Sequence, residues 1–445
     1  MTKKQLKLGA FFNFPGHHVA SWRYPTTGAN RVYDVDYIKE LALTAERGKF
    51  DMIFFADVFG QTSSSYLANS LKLDPLIVLS AIAAVTKHIG LTATATTTYN
   101  EPFQLARKFA ALDHLSKGRA GWNVVTSGNE KEAYLFGKDA HLPHANRYER
   151  AEEFVEVTKK LWSSIEADAL VVDKQSGRYL DLDKVHPVDH EGSWFKVQGT
   201  LDSPATPQGH PVIVQAGSSE AGKELAAKTA EVIFTAWTTL DDAKAFYRDV
   251  KDRLAKYNRK PDDLKIMPGV YITVATTEDE ARAKRDELNS YISPAIGLEY
   301  LSNFFGIDLR DHDINDPIPT PAEHKDKTNP NTRSTIIKEF AERNNFTTLR
   351  ELYEHIAGGR GHLELVGSVE QVADVLQAWL EQDAADGFNV MAPTFPDGLT
   401  DLVDLLIPEL QRRGIYRTKY EGTTLRDHLG LAYPSSQLQT SEIHR

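Results

Sequence analysis

Short runs of β-branched and aromatic residues alternate along the chain with stretches that carry apolar residues at every third or fourth position. The runs have the length of buried strands, and the stretches have the period of amphipathic helices. Ile38, Leu41, Ala42 and Ala45 form one such helical stripe. The predicted strands are Lys7–Phe12, Asp51–Ala56, Ile89–Thr97, Arg119–Thr126, Pro211–Gly217, Glu231–Ala236, Leu264–Ala275 and Phe388–Pro393.

Eight strands that alternate with helices indicate an α/β fold. A single closed TIM (β/α)8 barrel fits best, because parallel strands need helical crossovers and closure removes the sheet edges. We predict one barrel domain over residues 1–434. Insertions are expected at about 167–203, where short runs and turns indicate a hairpin, and at about 293–343, which is rich in Pro, Asp and Asn. Residues 435–445 form a polar C-terminal tail.

Composition narrows the classes of function. The 445 residues are 41% hydrophobic, include no cysteine and carry a net charge of -11. A large core is therefore available, while thiolate nucleophiles, Cys-ligated metals and disulfides are excluded. The negative charge disfavours nucleic acid and anionic membranes as partners. The run Leu8–Phe12 is too short for a secretory signal, and Leu76–Val85 is about half a membrane span, so we expect a cytoplasmic protein.

The most suggestive local motif is the segment Gln215–Ser219, which follows a predicted strand and precedes a predicted helix. A glycine at Gly217 lets the backbone approach a ligand, and the amides and hydroxyls of Ser218 and Ser219 would favour a phosphate at the helix N-terminus. The alternative interpretation is that one serine is only the helix N-cap. The local pattern leaves both interpretations open.

Two further polar features follow predicted strands. Asp57 is an isolated carboxylate after five apolar residues, and it is either a ligand contact or a loop cap. Thr92, Thr94 and Thr96 share one strand face, where small side chains leave room for a flat ring. Threonine is also simply a good strand former, so the pattern alone does not decide.

Other common sites are disfavoured. His141 and His144 have a spacing seen in metal sites, but no third ligand is evident, and neighbouring His17 and His18 leave an extended chain in opposite directions. Walker A, Gly-x-Gly-x-x-Gly and Gly-x-Ser-x-Gly sequences are absent. We therefore predict no metal site and no P-loop or Rossmann cofactor site.

A set of longer segments, spread in order from Leu8 to Pro434, resembles one known family. The segments are Trp22–Pro25, Glu46–Asp51, Phe55–Asp57, Thr94–Pro102, Leu112–His114, Gly118–Ser127, Gly209–Ser219, Ala384–Asn389 and Thr424–Leu431. In them the chain is similar to the two-component FMN-dependent monooxygenases of the nitrilotriacetate monooxygenase component A and dibenzothiophene-sulfone monooxygenase family. That family is part of the bacterial-luciferase-like superfamily.

The resemblance implies a luciferase-like TIM barrel with insertions, dioxygen as a substrate, and FMN that a separate NAD(P)H:flavin reductase delivers in reduced form. It also implies a homo-oligomer, a dimer or a tetramer. The cofactor residues carried over are Asp57, Thr94, His144, Tyr148 and Ser218, with Ser219, Asn123, Ser127 and Gly217 beside them. On this basis the serine motif holds the 5′-phosphate with Tyr148, while Asp57 and Thr94 border the flavin ring.

The resemblance constrains the identity of the substrate less than that of the cofactor. Alkane-oxidising relatives carry a cysteine where this chain has Phe14 and a histidine where it has Gly128, so alkane hydroxylation is not expected. An aminopolycarboxylate such as nitrilotriacetate, cleaved at a C–N bond, needs cationic partners. The candidates are Arg23, His17, His18, Arg360 and His362, each of which is equally explained as a structural charge. Phe14, His17 and Arg23 are the predicted substrate residues, and no acid or base is assigned.

Three alternatives remain open at this stage. One is a monooxygenase of the same family that acts on a sulfone, another sulfur compound or another xenobiotic. Another is a deazaflavin-dependent oxidoreductase on the same fold, and the last is a flavin-binding protein without catalytic activity. Dependence on dioxygen separates the oxygenases from the other two.

Overall fold

The computed structural model describes residues 4–434, apart from 61–67, 69–71, 306 and 320–332, and apart from the side chains of 303, 304 and 333–336. The predicted polar tail, 435–445, lies outside the described residues, as does part of the predicted insertion at 293–343. Within the described residues, no helix is long and apolar enough to span a bilayer.

A closed parallel barrel is the centre of the fold. Eight strands, β1–β4, β9–β11 and β13, form it, and β10 pairs with β11 to close the ring. All eight predicted strands are present, with every end within two residues of the prediction, so the TIM-barrel prediction is confirmed. The strands of the described chain are β1 (Lys7–Phe11), β2 (Met52–Phe55), β3 (Gly90–Thr96), β4 (Ala120–Val125), β5 (Leu170–Asp173), β6 (Arg178–Leu180), β7 (Val188–Glu191), β8 (Lys196–Gly199), β9 (Val212–Ala216), β10 (Val232–Thr235), β11 (Lys265–Ala275), β12 (Leu363–Ser368) and β13 (Gly387–Met391).

One strand that pairs with the barrel is missing from the sequence prediction. β12 runs parallel to the second half of β11, from Val270 opposite Leu363 to Ala275 opposite Ser368. The first half of β11 pairs with β10 instead, so β12 lies outside the closed ring. Its apolar pattern is interrupted by Glu364, which is why periodicity alone does not reveal it.

Helices cover the outside of the barrel, and several begin at a side-chain cap that accepts a backbone N–H. Asp34 caps α1, and Thr277 and Ser368 form capping boxes at α8 and α12. The helices are α1 (Val35–Arg47), α2 (Pro75–Ala83), α3 (Pro102–Ser116), α4 (Glu132–Leu135), α5 (His144–Trp162), α6 (Glu220–Thr229), α7 (Leu240–Arg253), α8 (Glu278–Ser290), α9 (Pro294–Phe305), α10 (Arg333–Arg343), α11 (Leu349–Ile356), α12 (Val369–Glu381), α13 (Asp397–Asp401), α14 (Ile407–Arg412) and α15 (Leu425–Leu429).

Two segments depart from the regular alternation. Residues 167–203 contain two antiparallel hairpins, β5–β6 and β7–β8. Helices α9 to α11 build a second apolar cluster apart from the barrel core, with Ile296, Leu301 and Leu352 buried in it. The division into one domain with two insertions stays a prediction.

The C-terminal arm, whose described part is residues 416–434, covers the amino ends of the barrel strands. Leu425, Leu429 and Leu431 belong to the same buried cluster as the inward-facing residues of the barrel. The Leu425 side chain lies against Gly90 and Gly121, at the starts of β3 and β4. Since this end is filled, the carboxyl ends of the strands are the end where a ligand site is expected.

Candidate active site

A cavity of about 450 Å³ opens at the carboxyl ends of the barrel strands. Its wall combines residues that follow β2, β3 and β4, the end of β9, and the first turns of α5. The volume is within the range of small-ligand and cofactor sites, roughly 300 to 1,000 Å³. Five of the predicted cofactor residues line this cavity: Asp57, Thr94, Ser127, His144 and Tyr148.

Thr94 and Asn123 are paired across β3 and β4 and are both buried. The Thr94 hydroxyl donates to the carbonyl of Phe55 at 2.7 Å, and the Asn123 amide donates to the Thr94 hydroxyl at 2.8 Å. The Oδ1 atom of Asn123 has no hydrogen-bond partner among the described residues. A buried acceptor without a partner is costly, so this position suits a ligand that carries donor groups.

The loop after β4 forms a polar wall of the cavity. Ser127 has a left-handed backbone (φ 54°), and the Arg147 guanidinium donates to its carbonyl. The Ser127 hydroxyl lies 2.7 Å from a carboxylate oxygen of Glu132 and 2.9 Å from the Thr96 hydroxyl. Glu132 lines the cavity although only 2% of it is exposed.

Two carboxyl groups with raised pKa values share this cavity. Burial raises the pKa of Glu132, and the charge of Asp57 acts in the same direction. Burial also raises the pKa of Asp57, although the positive charge of Lys72 acts against that shift. The wall therefore favours the neutral forms of both carboxyl groups more than water does.

His144 and Tyr148 face the cavity together because they are four residues apart on α5. Their ring centroids are 4.8 Å apart. His141 precedes the helix and is engaged elsewhere: its Nδ1 atom lies 2.5 Å from the Tyr99 hydroxyl and its Nε2 atom 3.3 Å from the Ser127 carbonyl. No group of three or more His, Cys, Asp or Glu side chains that could hold a metal occurs in the part of the chain that the structure describes.

The turn from β9 into α6 carries the glycine–serine motif. A methyl group added at Gly217 would lie 3.9 Å from the Tyr148 hydroxyl, which places the motif beside the cavity. Ser219 is the N-cap of α6, since its hydroxyl accepts from the Gly222 amide at 3.1 Å. The capping interpretation therefore holds for Ser219, and Ser218 is the serine outside the cap.

Three charged or amide side chains of the cavity wall have no individual role in the sequence prediction: Glu132, Arg147 and Gln215, the last of which begins the predicted glycine–serine motif. Gln215 is buried, its amide donates to the Gly222 carbonyl at 3.0 Å, and its Oε1 atom has no partner among the described residues. Its position at the polar end of an apolar strand was a usable signal. Glu132 begins the short helix α4 and Arg147 lies in α5, and the pattern of neither helix distinguishes these residues from surface charges.

The predicted substrate residues do not line this cavity. Phe14 packs on Phe55 and borders a separate cavity of about 40 Å³. His17 is buried at 2% exposure. Arg23 is exposed and donates to the carbonyl of Tyr291.

The chain is similar to known proteins over nearly its whole length. The model of the luciferase-like monooxygenase family matches residues 13–387. The chain is 50% identical to N-acetyl-S-(2-succino)cysteine monooxygenase of Bacillus subtilis (strain 168), over 97% of this chain and 98% of that protein. It is 49% identical to nitrilotriacetate monooxygenase component A of Aminobacter aminovorans, over 98% of this chain and 99% of that protein.

A solved structure extends the comparison to the cofactor. The crystal structure of riboflavin lyase (RcaE), with modified FMN and riboflavin as substrate, aligns with a TM-score of 0.81 at 31% identity. The alignment covers 97% of both chains.

Proposed function

The chain belongs to the luciferase-like monooxygenase family and is a two-component, flavin-dependent monooxygenase that uses reduced FMN; from that premise we propose that it oxidises a small polycarboxylate at the carboxyl ends of its barrel strands. The observation that carries the proposal is identity of about one half, over nearly the whole chain, to two relatives whose named substrates bear several carboxylate groups. Sulfone oxidation is the second candidate, supported by 39% identity to dibenzothiophene-sulfone monooxygenase of Rhodococcus erythropolis.

The cavity fits FMN in the chemistry of its donors and acceptors. The ribityl chain and the flavin ring carry O–H and N–H donors, and Asn123 Oδ1 and Gln215 Oε1 are buried acceptors without partners among the described residues. In the proposal, Asp57, Thr94 and Ser127 border the ring, and His144 holds the ring or the ribityl chain. Each of these contacts is supported by position at the cavity, not by a bound ligand.

The phosphate end is assigned to the turn into α6. The first amides of a helix of this length form a positive end that binds anions. Gly217 lies beside the Tyr148 hydroxyl in that turn, and Ser218 follows it directly. Ser219 contributes through its backbone because its hydroxyl caps the helix. Tyr148 supplies a further donor to the same phosphate.

Bound reduced FMN supplies the electrons that activate dioxygen, and the chain positions and shields the reaction. Most residues of the described wall are half-buried or buried, which limits water at the reacting centre. We propose that a separate NAD(P)H:flavin reductase delivers the reduced cofactor by diffusion, that the chain is a homo-oligomer, and that it acts in the cytoplasm.

The test is anaerobic loading with reduced FMN, mixing with isotopically labelled dioxygen, and mass spectrometry of the products. The substrates offered are N-acetyl-S-(2-succino)cysteine, nitrilotriacetate and dibenzothiophene sulfone. We expect one labelled oxygen atom in the product of a polycarboxylate, with a carbonyl product reduced by borohydride as it forms because its oxygen otherwise exchanges with water. Label found only in the sulfone product would replace the polycarboxylate by the second candidate, and consumption of dioxygen without labelled product from any of them would contradict the proposed substrates.

A further inference from the structure

Each of two adjacent histidines that were candidate cations for an anionic substrate accepts a hydrogen bond at Nδ1, which favours the neutral ring. The Nε2 atom of His17 lies 2.8 Å from the carbonyl of Phe11, so it carries the proton. Its Nδ1 atom faces the guanidinium of Arg360 and therefore accepts. Burial and the charge of Arg360 hold the pKa of His17 well below its usual range.

Two other candidate cations, His18 and Arg23, are also not available as charges for a substrate at this position. His18 accepts from the amide of Ala20 through Nδ1, its Nε2 atom lies 3.0 Å from Asn289 Oδ1, and burial lowers its pKa to about 4. Arg23 is exposed and holds the carbonyl of Tyr291. Among these candidates, the permanent charge next to His17, at the carboxyl end of β1, is therefore that of Arg360.

Arg360 is held over the end of the barrel. It lies in the loop between α11 and β12, is half-buried, and has a left-handed backbone (φ 51°). The His17 ring that receives its hydrogen bond packs edge-on against Phe11, with centroids 4.5 Å apart. Phe11 in turn packs on Phe54 and Phe234 inside the barrel. The guanidinium is thus held, through His17, next to a cluster of aromatic side chains inside the barrel.

Lys72 carries a second positive charge near this guanidinium. It is exposed and borders the small cavity lined by Phe14 and Phe55. The charges of Asp57, which lines the larger cavity, and of Arg360 both act on Lys72. Two cations therefore lie near each other in a chain whose net charge is -11.

We propose that Arg360 binds a carboxylate of the substrate, that Lys72 provides the second positive charge for a di- or tricarboxylate, and that His17 is a positioning residue that aims the guanidinium. The inference rests on the proposed function and deepens it by assigning the groups that select the substrate. A guanidinium has five N–H donors in a planar fork, so it holds His17 and a carboxylate at the same time. Nearby cations at this mouth also attract an anionic substrate over a neutral one.

The first experiment compares Arg360→Gln and Arg360→Lys with the matched control Arg282→Gln, an exposed arginine whose partner is Glu278 on the same helix. Two quantities are measured with N-acetyl-S-(2-succino)cysteine and its methyl ester: the KM of the FMN-dependent reaction, and the Kd of the compound for the protein by calorimetry. Arg360→Gln is expected to raise both values for the acid by about 10- to 100-fold, the loss typical of a hydrogen bond to a charged group. Lys should rescue part of the loss, and the ester and FMN affinities should change little.

Lys72→Gln is expected to give a smaller loss of about threefold to tenfold for the acid, since an exposed charge is screened by water. An Arg360→Gln protein that folds, binds FMN normally and keeps the wild-type Kd for the acid would overturn the assignment. If the wild type binds the acid through Arg360 but does not oxidise it, the proposed reaction is contradicted, and the assignment of Arg360 as the carboxylate-binding residue is supported. If the wild type oxidises the acid with a KM that Arg360→Gln leaves unchanged, the role of Arg360 is contradicted, and the proposed function is supported.

A separate pair of variants tests the positioning role of His17. His17→Ala should raise the KM for the acid with a smaller effect on kcat, and His17→Gln, whose amide oxygen also accepts from a guanidinium, should restore part of the loss. Because the wild-type ring is neutral, the KM of the wild type and that of His17→Gln should follow the same pH dependence between pH 6 and 8. A KM that rises with pH through this range in the wild type, and no longer does so in His17→Gln, would show that His17 itself is the cation and would overturn the proposal.

Discussion

The Arg426 guanidinium forms an ion pair with the Glu231 carboxylate in the interior, and it ties the C-terminal arm to the residue before β10. The Arg426 side chain is 1% exposed and that of Glu231 is 12% exposed. Although burial acts to raise the pKa of Glu231, the charges of Arg426 and His210 outweigh it and lower that pKa to about 2. The pair therefore contributes stability wherever Glu231 is ionised.

Breaking this pair should strongly destabilise the protein. Arg426→Met leaves the Glu231 charge buried and uncompensated, so we expect the free energy of unfolding to fall by about 3 to 5 kcal/mol. Denaturant unfolding followed by circular dichroism measures it, with Lys160→Ala, from an exposed pair with Glu156, as a control expected to change it by less than about 0.5 kcal/mol. Equal effects of the two substitutions would contradict the role of the buried pair.

The same pair sets a pH dependence of stability. The ordinary pKa of the Glu231 carboxyl, 4.5, falls to about 2 in the folded protein, so the unfolded chain binds its proton first as pH drops. Its contribution is complete above about pH 4.5 and is lost as pH falls toward 2. In Glu231→Gln the free energy of unfolding should fall less than in the wild type as pH drops from about 4.5 toward 2. A wild-type curve that is level from pH 5 to 2 would show that the carboxylate is not stabilised in the fold.

The two serines of the α6 turn should respond differently to substitution. Ser219→Ala removes the cap and should lower the free energy of unfolding by about 1 kcal/mol. Ser218→Ala should leave stability unchanged but weaken FMN binding by about tenfold, since a phosphate contact is a charge-assisted hydrogen bond. Riboflavin, which lacks the phosphate, should bind both variants alike. Flavin fluorescence titration measures the affinities, and an equal loss for FMN and riboflavin in Ser218→Ala would place the phosphate elsewhere.

Much of the fold was predictable because barrel strands are buried on both faces and read as continuous apolar runs. The position of Asp57, Thr94 and Ser127 at one cavity also follows from sequence, because the carboxyl ends of parallel barrel strands meet at one end. The serine motif was predictable as a helix start, but which serine caps the helix depends on backbone geometry that the pattern does not encode.

The missed features depend on tertiary contacts. Glu132 is buried beside Ser127, whose hydroxyl lies 2.7 Å from its carboxylate, whereas a glutamate at the start of a short helix ordinarily indicates surface. The neutral state of His17 depends on Arg360, which is 343 positions away in the chain. No local pattern reports a hydrogen bond over that separation, so the histidine pair could be interpreted as cationic from sequence alone.

The loop that carries Arg360 depends on a close approach of backbone to an aromatic ring. A methyl group added at Gly358 would lie 2.3 Å from the ring of Tyr271, a buried residue of β11. Gly358→Ala should therefore cost about 1 to 3 kcal/mol of stability by overpacking and displace the loop. Thermal unfolding and the KM for N-acetyl-S-(2-succino)cysteine check both effects. Gly359→Ala, with 3.1 Å to the nearest atom, is the milder control, and a Gly358→Ala protein that matches it would mean that the loop adapts freely.

The raised pKa values of Asp57 and Glu132 predict that FMN binds less tightly as pH rises. Below these pKa values both carboxyl groups are neutral, whereas above them they are ionised and repel the anionic cofactor. Removing one charge with Glu132→Gln should therefore tighten FMN binding at high pH by about threefold to tenfold and leave the affinity at low pH unchanged. Fluorescence titration from pH 5 to 8 measures it, and comparison at equal pH cancels the titration of the FMN phosphate. Glu130→Gln, at an exposed position two residues before Glu132, is the matched control. If both variants follow the wild-type curve, Glu132 does not face the cofactor, because an ionised carboxylate on the wall of the occupied cavity must act on its affinity.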